Sequence, residues 1–473
     1  MMDLPLPPAK KVNIQTWGCQ MNVADSERMM ALLKKENYTV TEFAQEADLI
    51  ILNTCHIREK AKHKVVSRLG ELAPLKAKNP GLTLAVSGCV AQAESKSLSK
   101  EVPFLDLVFG PDQIETLPQL LGQISSKRLK EGMDFQHSST AVVDAKFNKL
   151  PYSIPIDQVE PWVRDAKDQV SRYVNIIKGC NNFCTFCVVP HTRGREKSRP
   201  LGEILEEVQF QVERGAKEIT LLGQNVNSYG LDLLEINQNQ EKYSIPSHLP
   251  FAELLYEVAK VPGLQRIRFT TSNPHDFTPS LAQAFADLPS LANSFHLPVQ
   301  AGSNRILERM NRQYTREMYL ERVGWIRKVR PNLAFSTDII VGFPGETEQE
   351  FEETMELVKQ MQYAFIFAFK YSPRPNTAAL RFKDQIPEEE KDRRLQALLA
   401  LQRDETLRQN ELEVGTLRDV LLQYPNSKEV GTCYGRTQEG RLVKVYADST
   451  WVGQSVPVKI TGANLTALEG RIQ

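Results

Sequence analysis

The sequence predicts an α/β protein in three parts: an N-terminal doubly wound parallel sheet, a central partial (β/α)6 TIM-like barrel and a small C-terminal antiparallel β-barrel. Three observations predict this architecture. Short apolar runs alternate with helical segments over residues 10–125, and the same alternation recurs over residues 166–403. From Gly415 the pattern turns to short strands punctuated by Gly and Asn, within a domain predicted over residues 406–473. At 473 residues the chain is long enough for two or three domains.

Composition and charge are those of an ordinary globular protein, with 41% hydrophobic and 25% charged residues. The 58 basic residues balance the 58 acidic ones, so any contact with a polyanion must come from local patches. No apolar run reaches the roughly 20 residues that cross a membrane, and the N-terminal residues lack a signal core. We therefore expect a cytoplasmic protein. Its seven cysteines then indicate metal or redox chemistry rather than disulfides.

Three cysteines follow three predicted strands of the N-terminal sheet: Cys19, Cys55 and Cys89. The strands are predicted at Val12–Thr16, Leu49–Leu52 and Leu82–Val86, with helices at Ser26–Glu36 and Ile57–Leu75. Carboxyl ends of parallel strands share one edge, where ligands bind. Three thiols at that edge favour an iron–sulfur cluster with one open iron. The alternative is that all three are buried packing residues.

Other residues of this part carry simpler predictions. Asn22 and Asp25 are expected to help start the first helix. His56 and His63 are expected to be polar surface residues rather than ligands. Residues 125–165 contain three prolines and no clear periodicity, which indicates a linker.

Six apolar runs in the central part predict six strands separated by helices. The strands are predicted at Tyr173–Ile177, Glu218–Leu222, Arg266–Thr270, Ser294–Val299, Phe335–Val341 and Tyr363–Phe369. The helices are predicted at Leu201–Arg214, Phe251–Lys260, Arg316–Val329 and Thr347–Met361, the last with a capping box from Thr347 to Glu350. In barrels of this type the chemistry lies in loops at the carboxyl ends of the strands.

The first of these loops contains Cys180, Cys184 and Cys187 in a C-x3-C-x2-C array. Three thiolates match three corners of an iron–sulfur cube and leave the fourth iron without a protein ligand. An open metal position can bind a substrate. The alternatives are a zinc site that lacks one ligand, or three thiols in an ordinary loop. A structural zinc site commonly has two C-x2-C pairs, and this sequence has one.

Polar residues follow the other central strands and could hold an amino acid and a ribose. The candidates are Gly223, Gln224, Asn225, Ser272, His296 and Gly342. Each alone is equally typical of a turn. The segment His191–Arg199 carries four cations and one anion. It is either a solvated basic loop or a patch that contacts phosphate.

The C-terminal part begins with a helix at Glu388–Leu412. Strands follow at Val420–Gln423, Cys433–Thr437, Leu442–Tyr446 and Ser455–Thr461. Barrels of about 60 residues often bind oligonucleotides, but the balanced charge here gives that function little support. Cys433 stands apart from the other cysteines and is predicted to be a packing residue.

Both cysteine sets and their surroundings resemble the methylthiotransferases, which are radical S-adenosylmethionine (SAM) enzymes with an additional N-terminal cluster domain and a C-terminal TRAM domain. The resemblance extends from about Lys11 to Arg471. The segments that carry it are Gly18–Asn22, Asn53–Glu59, Ser87–Gln92, Cys187–Glu196 and Gly435–Thr437. Gln20 and Met21 favour the branch that acts on tRNA over the branch that acts on a ribosomal protein. Asn376 and Ala301 depart from the family pattern without touching a cluster ligand.

The resemblance implies two [4Fe–4S] clusters, and it implies the ligands of each. Cys19, Cys55 and Cys89 would hold one cluster; Cys180, Cys184 and Cys187 would hold the other and be catalytic, with SAM on the open iron. One SAM would methylate a sulfur held on the first cluster. A second SAM would give a 5′-deoxyadenosyl radical, which removes hydrogen from C2 of N6-isopentenyladenosine at position 37 of tRNA, next to the anticodon. The carbon radical would then take the methylthio group.

The implied partners are the tRNA anticodon loop, SAM and an electron donor such as flavodoxin or ferredoxin, with the protein a monomer that does not contact membranes. The same chemistry on a ribosomal-protein aspartate or on threonylcarbamoyl-adenosine of tRNA is the first alternative. An iron–sulfur RNA-binding regulator without turnover is the second.

Overall fold

The computed structural model describes residues 8–56, 61–131, 141–148, 150–159, 167–237 and 250–473. The chain forms two compact units. The first comprises Met1–Trp162 together with Val188–Arg195, and the second comprises Val163–Cys187 together with Glu196–Gln473. The domain bounds 10–125, 166–403 and 406–473 stay a prediction. No helix in the described ranges is long and apolar enough to cross a bilayer.

The strands in chain order are β1 (Lys10–Trp17), β2 (Tyr38–Val40), β3 (Leu49–Thr54), β4 (Thr83–Gly88), β5 (Leu107–Phe109), β6 (Val142–Asp144), β7 (Ser171–Asn175), β8 (Ile177–Lys178), β9 (Lys197–Ser198), β10 (Glu218–Leu222), β11 (Arg266–Phe269), β12 (Ser294–His296), β13 (Ala334–Val341), β14 (Phe365–Lys370), β15 (Leu417–Pro425), β16 (Thr432–Thr437), β17 (Leu442–Tyr446), β18 (Ser455–Ala463) and β19 (Leu468–Ile472). The helices are α1 (Gln20–Lys35), α2 (Ala61–Lys78), α3 (Cys89–Glu101), α4 (Leu117–Glu131), α5 (Lys167–Val170), α6 (Val189–Thr192), α7 (Leu201–Glu213), α8 (Leu231–Asn237), α9 (Pro250–Ala259), α10 (Pro279–Asp287), α11 (Asn304–Arg309), α12 (Arg316–Val329), α13 (Glu348–Met361) and α14 (Glu388–Glu411).

The first unit is a six-stranded parallel sheet in the order β2-β1-β3-β4-β5-β6. Strands β3, β4 and β5 are buried along their whole length because helices cover both faces. In β3, Ile50 and Leu52 pack with one group of helices, whereas Leu49 and Ile51 pack with the other. The strand order reverses between β1 and β3, which is where sheets of this kind bind their ligands.

Three predictions for the first unit are wrong. Asn22 and Asp25 lie inside α1, which begins at Gln20 with Cys19 as its N-cap. His56 is buried beside Glu94 rather than exposed. Residues 125–165 are not only a linker, because α4 runs to Glu131 and β6 adds a strand to the sheet. The predicted helix residues Ile57–Lys60 lie outside the described residues.

The central part of the second unit has six parallel strands in two three-stranded sheets, β7-β10-β11 and β12-β13-β14. An isolated bridge between Ile267 and Leu291 connects β11 to the residues just before β12. Burial alternates along β13: Thr337 and Ile339 pack under the helices, whereas Ser336 and Asp338 face the inside of the open barrel. The predicted α/β fold class is confirmed.

Five strands close the C-terminal barrel in the order β15-β16-β17-β19-β18. All neighbours are antiparallel except β17 and β19. Cys433 is fully buried among apolar side chains of this barrel, as predicted.

The C-terminal barrel packs on the amino-terminal side of β11. The buried Arg266 donates to the backbone oxygen of Arg436 at 2.9 Å, and Arg268 donates to that of Thr437 at 2.9 Å. Gln423 also donates to Glu218 at 3.2 Å. These contacts join the small barrel to the central strands through polar groups that are withdrawn from water.

Candidate iron–sulfur centres

Cys19, Cys55 and Cys89, which we call the first trio, leave the N-terminal sheet at one edge. Trp17 of β1 pairs with Thr54 of β3, and Thr54 pairs with Gly88 of β4. Cys55 and Cys89 come immediately after their strands, and Cys19 comes two residues after Trp17. The strand register alone therefore brings the three cysteines to the same edge of the sheet.

Glycines before Cys19 and Cys89 allow the strand ends to approach closely. Gly88 has a φ of +87°, and a Cβ there would lie 2.4 Å from the backbone oxygen of Thr54. A Cβ on Gly18 would lie 2.8 Å from the Cβ of Cys55. Any larger residue at Gly88 would need both a left-handed backbone conformation and a backbone shift.

A buried hydrogen-bond network fixes the loop that carries Cys19. The Asn22 amide donates to Asn53 Oδ1 at 3.0 Å, and the Asn53 amide donates to the backbone oxygen of Asn22 and to Ser26 Oγ, both at 2.8 Å. Cys19 Sγ donates to Asn22 Oδ1 at 3.3 Å. The start of α1 is thus tied to the end of β3 beneath the thiols.

Positive charge surrounds the first trio. Burial raises the pKa of the Cys19 thiol, Arg193 opposes that rise, and the nearby Cys89 and Cys55 add to it. Arg193 is itself buried and donates to Asp25 at 2.6 Å. Cys19 caps α1 and Cys89 begins α3, so two helix N-termini also favour thiolates at these positions.

Both interpretations of the segment His191–Arg199 are wrong for two of its cations. Arg193 is paired with Asp25, and Arg199 is fully buried and paired with Glu207 at 2.5 Å. These two arginines form structural ion pairs. They are therefore neither exposed to solvent nor available to bind phosphate.

Cys180, Cys184 and Cys187, the second trio, lie in the loop that follows β7 and β8. A turn closes where the Cys187 amide donates to the backbone oxygen of Cys184 at 3.0 Å. Burial raises the pKa of Cys180, and the nearby Glu196, Cys187 and Cys184 raise it further. The three thiols therefore lie close enough to interact, with Cys180 and Cys184 buried and Cys187 half-buried.

One of the predicted cofactor-binding residues, Gln224, bonds directly to this loop, and Asn225 is linked to it through Asp276, which also accepts from Asn182 at 3.5 Å. Gln224 accepts from the backbone N–H of Gly179 at 2.6 Å, and Asn225 donates to Asp276 at 2.6 Å. Gly223 has a packing role, since a Cβ there would lie 2.3 Å from Ile177 Cγ2. The predicted residues that follow β10 thus lie against the second trio.

The other predicted residues are more dispersed. Ser272 Oγ is buried and has no hydrogen-bond partner among the described residues. His296 lies on the inner face of the barrel, 3.0 Å from Ser336 Oγ. Gly342 has a φ of +67° and packs against Lys391 of α14, while its N–H donates to Glu346 at 2.6 Å. A contact of any of these residues with SAM stays a prediction.

Several residues of the site give no signal in the sequence. Arg312 Nη1 donates to Cys184 Sγ at 3.2 Å although the two are 128 positions apart. Burial raises the pKa of Glu196 to about 7, and this side chain accepts from the Asn181 amide. Phe365 and Phe367 stand half-exposed on the inner face of β14. Only the fold brings them to the site, so neither spacing nor composition could identify them.

The donor chemistry of both trios suits iron–sulfur clusters. All six cysteines are free thiols, and thiolate is the ligand on which such clusters are built. No group of three or more His, Cys, Asp or Glu within the described ranges is arranged to hold a single metal ion. In a four-iron cluster each thiolate binds a different iron, so its donors need not converge on one ion.

Comparison with known proteins identifies the family. Residues 11–110 match the uncharacterized protein family UPF0004, and residues 174–358 match the radical SAM superfamily. Among solved structures, the radical SAM methyltransferase TsrM from Kitasatospora setae has a TM-score of 0.55 at 13% identity, covering 87% of this chain and 80% of that one. The cobalamin-dependent radical enzyme OxsB has a TM-score of 0.52 at 12% identity, covering 83% and 56%. These two structures support the fold.

Sequence relatives are much closer. The tRNA-2-methylthio-N(6)-dimethylallyladenosine synthase of Bdellovibrio bacteriovorus is 45% identical over 98% of this chain and 95% of its own length. That of Geobacter metallireducens is 43% identical over 98% of each chain, and that of Clostridium botulinum is 42% identical over 97% and 96%. The predicted methylthiotransferase resemblance is confirmed, and the chain belongs to the family of the tRNA-2-methylthio-N(6)-dimethylallyladenosine synthases.

Proposed function

We propose that this protein adds a methylthio group to C2 of N6-isopentenyladenosine at position 37 of tRNA, next to the anticodon. The observation that carries the proposal is the pair of cysteine trios, each at the carboxyl edge of its own parallel sheet, in a chain that matches the named synthases along nearly its whole length. The aromatic C2–H of adenine is too weakly acidic for removal by a side-chain base, so radical chemistry is required.

In this proposal Cys19, Cys55 and Cys89 hold one [4Fe–4S] cluster and Cys180, Cys184 and Cys187 hold the other. When bound, the second cluster and SAM would supply a 5′-deoxyadenosyl radical, and the first cluster would supply sulfur. Electrons would come from a flavodoxin or ferredoxin, and the enzyme would act as a monomer.

The polar loops around the second trio would bind and orient SAM. Gln224 fixes the backbone of Gly179, and Asn225 is held by Asp276. Ser272 has a buried hydroxyl without a partner, which could donate to or accept from the bound molecule. Because Gln224 and Asn225 are held by protein contacts before SAM binds, little conformational entropy is lost at these two side chains on binding.

The inner face of β12, β13 and β14 would bind the modified base. Phe365 is 49% and Phe367 48% exposed, and their rings meet edge to face with centroids 4.7 Å apart. His296 packs edge to face on Phe367, and Asp338 lies 3.5 Å from His296 Nε2. Unpaired bases stack on such aromatic rings, a carboxylate can accept the N6–H of the adenine, and the isopentenyl group is apolar.

The test uses anaerobically reconstituted protein with SAM, a chemical reductant and an anticodon stem-loop. The stem-loop carries adenosine, isopentenyladenosine or threonylcarbamoyl-adenosine at position 37, and products are identified by mass spectrometry. We expect a methylthio product with isopentenyladenosine alone. A ribosomal-protein peptide is assayed in the same way. A methylthio product with threonylcarbamoyl-adenosine or with this peptide would contradict the proposed substrate. Absence of 5′-deoxyadenosine would favour the regulator without turnover.

The base-binding face has its own test. Phe367→Ala should weaken binding of the isopentenylated stem-loop, since one stacked base contributes about 1–3 kcal/mol and every 1.4 kcal/mol is about tenfold in Kd. Phe43→Ala, at a 63% exposed phenylalanine of the first unit, is the matched control. Equal affinities of the wild-type protein and Phe367→Ala would contradict this location of the base.

A further inference from the structure

Arg312 is a buried cation whose partners include no carboxylate. The residue is buried, at 7% exposure. Nε donates to the Tyr314 hydroxyl at 2.9 Å, and Nη2 donates to Asn273 Oδ1 at 3.3 Å and to the backbone oxygen of Pro298 at 3.2 Å. Nη1 donates to Cys184 Sγ at 3.2 Å. Within the described ranges no Asp or Glu forms a salt bridge with it.

Three other buried arginines, by contrast, have carboxylate partners. Arg193 pairs with Asp25, Arg199 with Glu207 and Arg394 with Glu346, each at 2.8 Å or less. Burying a cation without a counter-charge costs several kcal/mol. Among the described residues that contact Arg312, the group that can become an anion near neutral pH is the sulfur of Cys184, because a metal-bound cysteine is a thiolate.

The protein holds Arg312 against Cys184 by joining two loops. The Thr185 amide donates to the backbone oxygen of Met310 at 3.0 Å, and Thr185 Oγ1 donates to that of Arg309 at 2.8 Å. Asn311 donates from its side chain to the backbone oxygen of Phe183 at 2.9 Å.

The residues on either side of Arg312 adopt left-handed backbone conformations. Asn311 has a φ of 58° and Gln313 a φ of 59°. This conformation is unfavourable by roughly 1–2 kcal/mol for most residues, although asparagine adopts it readily. Backbone strain is therefore located at Gln313, directly beside the arginine that contacts Cys184.

We infer that Arg312 is the fixed counter-ion of the Cys184 thiolate and raises the reduction potential of the cluster held by the second trio. The inference rests on the proposed function. One-electron reduction by an external donor adds one negative charge to the cluster. A buried cation at hydrogen-bond distance from a ligand sulfur stabilises the reduced state more than the oxidised state, and hydrogen bonds to the sulfurs are known determinants of cluster potential. Arg312 is thus a positioning residue that acts through Cys184.

The test measures the midpoint potential of this cluster by electron paramagnetic resonance during a redox titration. The full chain carries Cys19→Ala, Cys55→Ala and Cys89→Ala, so that one cluster contributes the signal. Arg312→Gln should make one-electron reduction at least tenfold less favourable, a downward shift of about 59 mV or more. Arg312→Lys retains the charge and should shift the potential less. Arg309 is the last residue of α11, and its guanidinium is paired with Asp384. Arg309→Gln should therefore leave the potential unchanged.

A second measurement needs no substitution at Arg312. In wild-type protein labelled with ¹⁵N-arginine, pulsed electron paramagnetic resonance should detect a hyperfine coupling between an arginine ¹⁵N nucleus and the reduced cluster. An unchanged potential in Arg312→Gln, with wild-type iron content, would overturn the inference, as would absence of the nitrogen coupling. If the wild-type chain assembles no cluster or does not cleave SAM, the proposed function itself fails. If it does both and the potential is insensitive to Arg312, only this inference fails.

Discussion

The two cysteine trios are assembled in contrasting ways. The first draws its thiols from three strand ends that are 36 and 34 residues apart in sequence. The second takes all three from eight consecutive residues of one loop. The geometry of the first therefore depends on the register of a whole sheet, whereas that of the second depends on one turn and on the loops packed against it.

Their electrostatic surroundings differ as well. The first trio has two helix N-termini and Arg193, whose charge is already balanced by Asp25. The second trio has Arg312, which forms no salt bridge with a carboxylate in the part of the chain that the structure describes. Similar ligand sets can thus be placed in different electric fields, which would suit a sulfur donor in one case and a centre that accepts electrons in the other.

The largest expected effect separates the roles of the two trios. Cys184→Ala should abolish SAM cleavage, because it removes one of the three thiols proposed to hold the cluster that binds SAM. Cys55→Ala should leave cleavage of SAM to 5′-deoxyadenosine largely intact and stop methylthio transfer. Chromatography of 5′-deoxyadenosine and mass spectrometry of the RNA measure the two activities. Cys433→Ala, which removes a buried packing cysteine, is the control. Loss of cleavage in both trio variants would contradict this division.

The next largest effect tests the dependence of the first trio on its sheet. Gly88→Ala requires a left-handed alanine and places a Cβ 2.4 Å from the Thr54 oxygen, so the edge cannot close. We expect iron and sulfide to fall from about eight to about four of each per chain, the content of one four-iron cluster. Gly324→Ala, where a Cβ meets nothing within 4 Å, should retain wild-type iron. An iron content equal to that of the wild-type protein in Gly88→Ala would show that the first trio still assembles a cluster when this edge of the sheet is displaced.

A smaller effect concerns the charge beside the first trio. Asp25→Asn leaves Arg193 buried without its carboxylate, which should destabilise cluster-free protein by about 3–5 kcal/mol. Chemical denaturation followed by circular dichroism measures the change. Asp157→Asn, which breaks an exposed pair with Lys35, should change stability by less than about 1 kcal/mol. Equal effects of the two variants would mean that Arg193 finds another counter-charge.

The smallest effect concerns the start of a helix. Helix α1 has Cys19 as its N-cap without a side-chain cap bond, whereas α13 has a full capping box between Thr347 and Glu350. Thr347→Ala should cost about 1 kcal/mol in thermal or chemical unfolding. A free energy of unfolding unchanged in this variant would mean that the box contributes nothing.

The same helix predicts a pH dependence. Burial alone would raise the pKa of Glu350, but hydrogen bonds from Arg305, Thr347 and Ser303 outweigh it and lower the pKa to about 2. The unfolded value is near 4.5, so the stabilisation is complete above that pH and is lost as the pH falls toward 2. Between pH 5 and 2 the free energy of unfolding should therefore fall less in Glu350→Gln than in the wild-type protein.

The sequence predicted the elements whose signal is local. The three strands that end in cysteines, the six central strands and the capping box follow from apolar runs and from spacing. Missed elements have weaker patterns: β2, β5 and β6 have three residues each, and β19 includes Glu469 and Gly470.

For the site, local signals identified the thiols but not their surroundings. The C-x3-C-x2-C spacing marks the second trio, and the strand ends mark the first. His56 was misassigned because burial of a histidine depends on distant helices. Arg312 could not be recognised because its partner Cys184 is 128 residues away. Interactions between distant segments carry no periodic signature, so only the fold shows them.

The polar contact between the small barrel and β11 has a consequence for experiments that shorten the chain. Arg266 and Arg268 donate hydrogen bonds to backbone oxygens of β16, and Glu218 accepts a hydrogen bond from the side-chain amide of Gln423. A protein truncated after α14 would leave these ion-pairing groups without the carbonyls that solvate them. A lower RNA affinity of such a fragment would therefore have two causes. One is the loss of RNA contacts made by the small barrel, and the other is destabilisation of the central strands.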